Sequence, residues 1–282
     1  MISPPVYPRG EGFMGKRLIS SAVGLAILLV VLFSNNLYLM EGCMIVISLV
    51  AMYELYRTIG IIKYKPLVIV GAICAIVIMF FQFAGINSFF GLILLTITAL
   101  FLIVIIGGGE TIKFEHIAMT FMIALFVPVF FSQVVKVRML DNGKYLIYLV
   151  FFAAFITDSC AFFVGRFFGR HKFAPRVSPK KTVEGAIGGF AGGLASFLIF
   201  GLVMQHVFGF TVNYPLLALF GALGAVIAEI GDLAASVIKR QYGIKDYGDI
   251  MPGHGGVLDR FDSVLFTAPL MSLLLHNFTV LM

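Results

Sequence analysis

Long apolar segments alternate with short polar ones along almost the whole of this 282-residue chain. A helix that crosses about 30 Å of hydrocarbon needs roughly 20 consecutive apolar residues. By that measure the pattern predicts nine membrane-spanning helices, the ninth of which carries Asp259, Arg260 and Asp262 in its first turn. The predicted spans lie near residues 18–35, 38–56, 66–84, 88–106, 117–135, 145–164, 185–208, 214–238 and 260–280.

The distribution of positive charge predicts how these helices are oriented. Cytoplasmic loops of membrane proteins carry an excess of Lys and Arg. An N-terminus in the cytosol places 17 of the 20 Lys and Arg residues on that side, and only Lys136, Arg138 and Lys144 fall outside. We therefore predict an all-α, polytopic protein of the cytoplasmic (inner) membrane, with a cytosolic N-terminus and an external C-terminus.

The same pattern predicts how the chain is organised. Residues 1–13 contain Pro and Gly without periodicity, and we interpret them as a flexible leader. Residues 14–143 hold about five spans. Residues 144–282 hold the remaining spans and two cytosolic loops, 165–184 and 239–260, which together contain half of all Lys and Arg. We expect catalysis in this second part.

Composition supports the membrane assignment and narrows the function classes. Hydrophobic residues make up 60% of the chain, charged residues 12%, and the mean hydropathy is +1.04. The net charge of +6 is explained by basic cytosolic loops, so we expect no nucleic-acid partner. Cys43, Cys74 and Cys160 all lie in apolar runs without a CxxC pair, and we interpret them as small core side chains.

Acidic residues inside the predicted spans indicate a polar pocket. Asp158, Glu229 and Asp232 lie in the cytosolic halves of their spans, and acids in spans usually face a cavity or a partner. On a helix, Glu229 and Asp232 share a face that continues to Ser236, Lys239 and Arg240. That face could hold a divalent cation at its acidic end and phosphate at its basic end, or it could form a salt-bridge ladder between helices.

A glycine-rich segment, MPGHGG at 251–256, follows this helix and precedes Asp259 and Asp262, which lie three residues apart. Carboxylates on two facing helices are a plausible Mg²⁺ site, because that ion takes a few carboxylates together with water and phosphate oxygens. Gly253, Gly255 and Gly256 would let the backbone approach a phosphate, although a structural turn is the ordinary explanation. His254 could bind phosphate, act as an acid or base, or only shape the turn.

The loop 165–184 is strongly basic. Arg166 and Arg170 precede the sequence SPKKT at 178–182, and Arg and Lys side chains together with hydroxyls suit a polyanion. A positive-inside excess or attraction to anionic lipid would produce the same charge without a site. Gly185, Gly189 and Gly193 recur every four residues, which predicts close helix packing.

The segment SVIKRQYGIKDYGDIMPGHGGVLDRFDS (236–263) resembles the signature of the CDP-diacylglycerol synthases, or phosphatidate cytidylyltransferases. The matching positions are Ser236, Lys239, Arg240, Lys245, Asp246, Pro252 through Gly256, Asp259, Arg260 and Asp262. Asp158, the SPKKTVEG run and Gly231-Asp232 also look like that family. The resemblance implies the Mg²⁺-dependent reaction CTP + phosphatidate → CDP-diacylglycerol + pyrophosphate, with CTP, phosphatidate and membrane lipids as binding partners.

The resemblance also suggests roles for individual residues. The expected catalytic residues are Asp232, Lys239, Arg240, Asp246, His254, Asp259, Arg260 and Asp262. The expected metal ligands are Asp232 and Asp259, assisted by Asp262 or Asp246. The expected substrate-binding residues are Arg166, Arg170, Ser178, Lys180, Lys181, Thr182, Ser236, Lys245, Gly253, Gly255 and Gly256.

Three other function classes were weighed against this one. An ion-coupled transporter would explain the acids in the spans, but it leaves the bases and glycines gathered on one side unexplained. A CDP-alcohol phosphotransferase would need a spaced pattern of acids that this chain lacks. A membrane lipid or polyprenol kinase is the nearest enzymatic alternative. The Gly-rich seventh span could pack within its own chain or against a second copy, so a homodimer stays open.

Overall fold

The structure is a computed structural model that describes residues 24, 26–84, 89–106, 112–250 and 255–282. The predictions for the leader, the start of the first span, Gly253 and His254 lie outside these residues. Residues 26–33 are helical. The helices that follow are α1 Leu37–Thr58, α2 Lys65–Phe83, α3 Phe89–Ile106, α4 Phe114–Met139, α5 Gly143–Phe168, α6 Val183–Phe208, α7 Tyr214–Gln241 and α8 Leu258–Asn277.

These helices confirm the prediction of a helical, polytopic membrane protein. Each predicted span from the second to the ninth coincides with one helix, with ends that differ by four residues or fewer. Within the described ranges, six helices are long and apolar enough to cross a membrane: α1, α2, α4, α5, α6 and α7. The count of nine spans and the orientation of the termini remain predictions.

The basic loop 165–184 contains strands, which the all-α prediction did not include. Strand β1, Lys172–Ala174, pairs with strand β2, Ser178–Thr182, in an antiparallel hairpin. The hairpin leads directly into α6, where the hydroxyl of Thr182 accepts a hydrogen bond from the Gly185 N–H at 3.1 Å. Such a cap satisfies one of the N–H groups that a helix start leaves unpaired. The hairpin is thereby held at the mouth of the α5–α6 pair.

Helix α5 changes its winding just before the predicted pocket. Residues Phe152–Ile156 form a π turn, and regular α-helix resumes at Thr157. A π turn inserts an extra residue and is frequent at functional sites. The turn lies in the predicted sixth span and is followed at once by Asp158, so it sets the direction in which that carboxylate leaves the helix.

Helices α5 and α6 pack closely through glycine, as the four-residue spacing predicted. A Cβ at Gly189 would lie 2.9 Å from the Ala161 Cβ and 2.9 Å from a carboxylate oxygen of Glu229. A Cβ at Gly193 would lie 2.5 Å from the Thr157 hydroxyl oxygen. Separations this short exclude a larger side chain without movement. The glycines therefore bring the acids of α5 and α7 to the same side of α6.

The main core cluster draws on both halves of the chain. Phe131, Phe197 and Phe220, from α4, α6 and α7, are fully buried in one cluster. Of the three cysteines, Cys74 is buried, while Cys43 and Cys160 are half-buried and all three are free thiols. They are side chains of the apolar helices, as predicted.

Candidate active site

A cavity of about 350 Å³ opens between the hairpin and helices α5, α6 and α7. Its polar lining confirms that one pocket collects the predicted acids and part of the basic loop. The polar residues that line it are Asp158 and Arg166 from α5, Ser178, Lys180, Lys181 and Thr182 from β2, and Glu229 and Asp232 from α7. Five of these eight residues lie in loop 165–184, and the other three are the acids that were predicted to share a polar pocket.

The centre of this cavity holds an ion pair. Nζ of Lys181 lies 2.7 Å from Oδ2 of Asp232, and the two side chains are 21% and 29% exposed. Partial burial strengthens the attraction relative to a surface pair, because less water screens it. The pair joins the basic hairpin to the acidic face of α7. Among the acids and bases of the cavity, it is the contact that brings the two predicted halves of the site together.

Deeper in the bundle the acids continue onto α8. The hydroxyl of Ser263 donates a hydrogen bond to Oδ2 of Asp158 at 2.7 Å. Asp262 is buried, accepts a hydrogen bond from the Ser263 N–H at 2.8 Å, and interacts electrostatically with Asp232. Helices α5 and α7 thus contribute carboxylates to the cavity lining, and α8 adds Asp262, which does not line the cavity, next to them.

The outer face of the hairpin is held by Glu184 at the start of α6. Its carboxylate accepts hydrogen bonds from the Arg170 N–H at 3.0 Å and from the His171 N–H at 3.2 Å. It also lies 2.6 Å from Nδ1 of His171. Arg170 therefore belongs to the hairpin anchor and is not among the residues that line the cavity.

Asp259 lies in a second cluster, at the start of α8. Its Oδ1 accepts a hydrogen bond from Nζ of Lys239 at 2.8 Å, and its Oδ2 accepts from the N–H groups of Tyr247 at 2.7 Å and Gly256 at 2.9 Å. The side chains of Lys239 and Asp259 are only 11% and 3% exposed. A carboxylate has about four lone-pair positions, so Asp259 uses about three of them here. Asp259 therefore organises loop 239–260, called the signature loop below, and also pairs with Lys239 of α7.

Tyr247 is part of this cluster and was missed by the sequence analysis. Its hydroxyl donates a hydrogen bond to the Ala235 carbonyl at 2.9 Å, and Nζ of Lys239 lies 5.3 Å from the centre of its ring. Burial, followed by the negative charges of Asp259 and Asp262, raises the pKa of Tyr247 well above its ordinary value. The phenol therefore stays protonated and acts as a hydrogen-bond donor. An aromatic residue in a loop carries no sequence signal for this role.

Arg240 occupies a bridging position between the two predicted loops. Its guanidinium donates to the Val177 carbonyl in the hairpin turn and to the Ile244 carbonyl in the signature loop, each at 3.1 Å. Arg240, which was expected to bind phosphate, thus donates hydrogen bonds to backbone carbonyls in this structure. The bond ties loop 165–184 to loop 239–260.

The other signature residues divide between surface and interior. Ser236 is buried, whereas Lys245, Asp246 and Arg260 are exposed. Gly255 has φ of +84°, a left-handed conformation that favours glycine. A Cβ there would also lie 2.8 Å from Oδ2 of Asp259. The conformation of the loop accounts for this glycine without a ligand.

Glu54, in α1, contacts the start of α8 and was not among the predicted site residues. It is 1% exposed, and its carboxylate accepts hydrogen bonds from the N–H groups of Val257 at 2.9 Å and Leu258 at 2.8 Å. A signal was available, because Glu54 is an acid within the predicted span 38–56, as is Glu41. Both acids lie in the first half of the chain, outside the part in which the pocket was predicted.

The predicted metal ligands were compared with what Mg²⁺ requires. In the ranges that the structure describes, no three His, Cys, Asp or Glu side chains form a group that could hold a metal ion. Asp232 is paired with Lys181 and Asp259 with Lys239. The donor type suits Mg²⁺, because carboxylates are hard oxygen ligands. The lysine pairs compete with a metal ion, however, so Mg²⁺ would have to displace Lys181 from Asp232 and Lys239 from Asp259. Asp246, by contrast, is exposed in the loop and takes part in neither of these two ion pairs.

A second, apolar groove of about 580 Å³ follows the α5–α6 seam away from the cavity. Cys160, in the groove, is adjacent in sequence to Ala161, which lines the cavity. Gly192, also in the groove, lies within one helical turn of Gly189, which approaches Ala161 and Glu229. The groove is lined by Tyr148, Phe152, Ile156, Cys160, Gly192, Ala195, Ser196, Ile199, Phe200, Val203 and Met204. Almost all of this surface is hydrocarbon, which is what a lipid chain requires.

Comparison with known proteins agrees with this geometry. A model of the Cytidylyltransferase family matches residues 15–278. Phosphatidate cytidylyltransferase of Bacillus subtilis is 37% identical over 71% of this chain and 72% of its own length. The proteins of the same name from Staphylococcus saprophyticus and Staphylococcus epidermidis are 33% and 34% identical, each over 93% of this chain and 99% of their own lengths. Since the match covers the hairpin, the cavity and the signature loop alike, this chain belongs to the cytidylyltransferase family.

Proposed function

We propose that this protein transfers the cytidylyl group of CTP to phosphatidate, forming CDP-diacylglycerol and pyrophosphate in phospholipid synthesis. The observation that carries the proposal is the cavity lined by Lys180, Lys181, Arg166, Asp232 and Asp158, together with an apolar groove along the same two helices, α5 and α6. Such a site offers cations to phosphates and hydrocarbon to lipid tails. The relatives described above bear the name phosphatidate cytidylyltransferase.

The chemistry needs positioning more than acid or base catalysis. An oxygen of the lipid phosphate, already ionised at neutral pH, forms a bond to the α-phosphorus of CTP. The bond from that phosphorus to the bridging oxygen breaks, and its electron pair leaves with pyrophosphate. The main barrier is to bring two anions together, which fixed cations lower. Lys180, Lys181 and Arg166 supply that charge from one wall of the cavity.

Lys239 and Asp259 form the opposite part of the proposed site. Their ion pair, with the Tyr247 and Gly256 N–H groups, holds the signature loop against α7. Asp232 and Asp259, assisted by Asp262 or Asp246, would hold Mg²⁺. When bound, the ion supplies positive charge that offsets the negative charge of the reacting phosphates.

The lipid is proposed to lie with its phosphate in the cavity and one acyl chain along the α5–α6 groove. The stripe Tyr148, Phe152, Ile156 and Cys160 extends over twelve residues of α5, or roughly 18 Å at 1.5 Å per residue. That length accommodates most of a long acyl chain. We further propose that the cavity faces the cytosol, because the positive charge of loops 165–184 and 239–260 favours that side.

The test uses CTP labelled either in cytidine or in the γ-phosphate, with phosphatidate vesicles, Mg²⁺ and the purified protein. The proposal requires the cytidine label on the lipid and the γ label in pyrophosphate. A γ label on the lipid would instead indicate a lipid kinase. Ion flux in sealed vesicles without turnover of CTP would indicate a transporter.

A further inference from the structure

We infer that Glu54 is a positioning residue of the active site, which holds the first turn of α8 and through it the Asp259–Lys239 pair. The kinetic test of this inference rests on the proposed function, because it measures cytidylyl transfer. Its structural readout, described below, is independent of that function. Glu54 belongs to the first half of the chain, which the signature does not cover.

The contact joins distant parts of the chain. Val257 and Leu258 lie 203 and 204 residues from Glu54, and both of their N–H groups donate to its carboxylate. These donors precede or begin α8, where the N–H groups have no partner within the helix. A carboxylate at a helix N-terminus gains from charge-assisted hydrogen bonds and from the helix dipole. Glu54 therefore supplies from α1 the cap that the sequence next to α8 lacks, since Val257 makes no side-chain cap.

The signature loop is shaped around this carboxylate. A Cβ at Gly248 would lie 2.7 Å from Oε1 of Glu54, and a Cβ at Gly256 would overlap the same carboxylate. Gly256 was predicted to bind substrate, but the close approach to Glu54 is a sufficient reason for glycine there. The loop thus approaches Glu54 at two points, near its middle at Gly248 and at its end at Gly256.

Glu54 and Asp259 act on consecutive backbone groups. The Gly256 N–H donates to Asp259, and the next two N–H groups, of Val257 and Leu258, donate to Glu54. Three successive peptide units are therefore fixed by two carboxylates. A shift of this backbone would also move Asp259, and with it Nζ of Lys239 at 2.8 Å.

The variant Glu54→Gln tests this role. The amide keeps one acceptor oxygen but points an NH₂ group at an N–H donor, so one of the two hydrogen bonds is lost. Hydrogen bonds to charged groups are strong enough that kcat should fall on the order of tenfold to a hundredfold. KM for CTP should change less than about threefold, because Glu54 does not line the cavity. Glu54→Asp, which keeps the charge but is one methylene shorter, should give an intermediate kcat.

The matched control is Glu41→Gln. Glu41 lies in the same helix and is also buried, but in the described part of the chain its carboxylate oxygens have no hydrogen-bond partner. Hydrogen exchange of the peptide that covers 255–262 should quicken in Glu54→Gln and stay unchanged in Glu41→Gln. This difference is expected in the detergent-solubilised protein without substrate.

The inference is overturned if Glu54→Gln matches Glu41→Gln in both kcat and exchange. If Glu54→Gln does not fold, Gly248→Ala tests the same contact from the loop side, and full activity of that folded variant would overturn the inference. Absence of cytidylyl transfer in the unaltered protein would refute the proposed function instead. The exchange measurement would still decide the role of Glu54.

Discussion

Replacing Asp259 with Asn tests the buried pair at the centre of the signature. Asn is nearly the same size, but it removes the negative charge that faces Lys239 at 2.8 Å. It also places an NH₂ group where Asp259 accepts hydrogen bonds from Lys239, Tyr247 and Gly256. The lysine is then left as an uncompensated charge, because its side chain is only 11% exposed.

The size of the effect follows from that burial. Removing one partner of a buried ion pair costs about 3–5 kcal/mol. If the transition state loses this whole free energy, kcat/KM should fall by roughly 10²- to 10⁴-fold. Loss of a Mg²⁺ ligand would act in the same direction. The assay is transfer of labelled cytidine to phosphatidate, with the unfolding midpoint in detergent measured in parallel.

A double variant separates positioning from stability. Asp259→Asn combined with Lys239→Met removes both charges and replaces the lysine with an apolar side chain of similar length. Such replacements often restore or improve stability, so the unfolding midpoint should recover while transfer stays low. The reasoning is refuted if folded Asp259→Asn keeps activity within about tenfold of the unaltered protein, or if the double variant regains it.

The remaining predictions concern the cavity, the groove and the loop. Lys180→Ala should raise KM for CTP or phosphatidate, and Lys172→Ala on the same hairpin is the control. An unchanged KM for both substrates would show that the charge of this loop is not a substrate-binding site. Ala195→Phe should fill part of the groove and raise KM for long-chain phosphatidate but not for a short-chain analogue, and equal effects on both would exclude the groove as an acyl site. Tyr247→Phe should lower the free energy of unfolding by about 1 kcal/mol through the lost Ala235 bond. Because the raised pKa keeps this phenol protonated, the pH profile of the reaction near neutrality should not change, and a shifted profile would contradict that assignment.

Much of the site could be predicted because a charged residue inside an apolar helix costs free energy and therefore indicates a function. Asp158, Glu229 and Asp232 interrupt apolar spans, and the cavity does collect all three. The glycines of α6 were predicted to pack closely, and they do so against α5. These features follow from local composition and from the period of one helix.

The partners of these residues could not be predicted in the same way. Lys181 and Lys180 are neighbours of the same chemical type, yet it is Lys181 that lies 2.7 Å from Asp232. Both lysines line the cavity, but Lys180 is exposed and Lys181 half-buried, a difference set by how a hairpin that the sequence did not predict packs on the helices. Arg240 donates to two carbonyls of the loops, a contact that its position in the sequence did not predict.

The sequence by itself determined that this is a helical membrane protein of a known signature, with acids and bases gathered in its second half. Hydrophobic length and charge bias are properties of single segments, and so they can be read without a fold. Only the tertiary structure decided that Glu54 caps α8, that Asp259 holds the signature loop to Lys239, and that a polar cavity and an apolar groove both lie along helices α5 and α6. Those contacts join segments far apart in the chain, and packing of whole helices sets the distances between them.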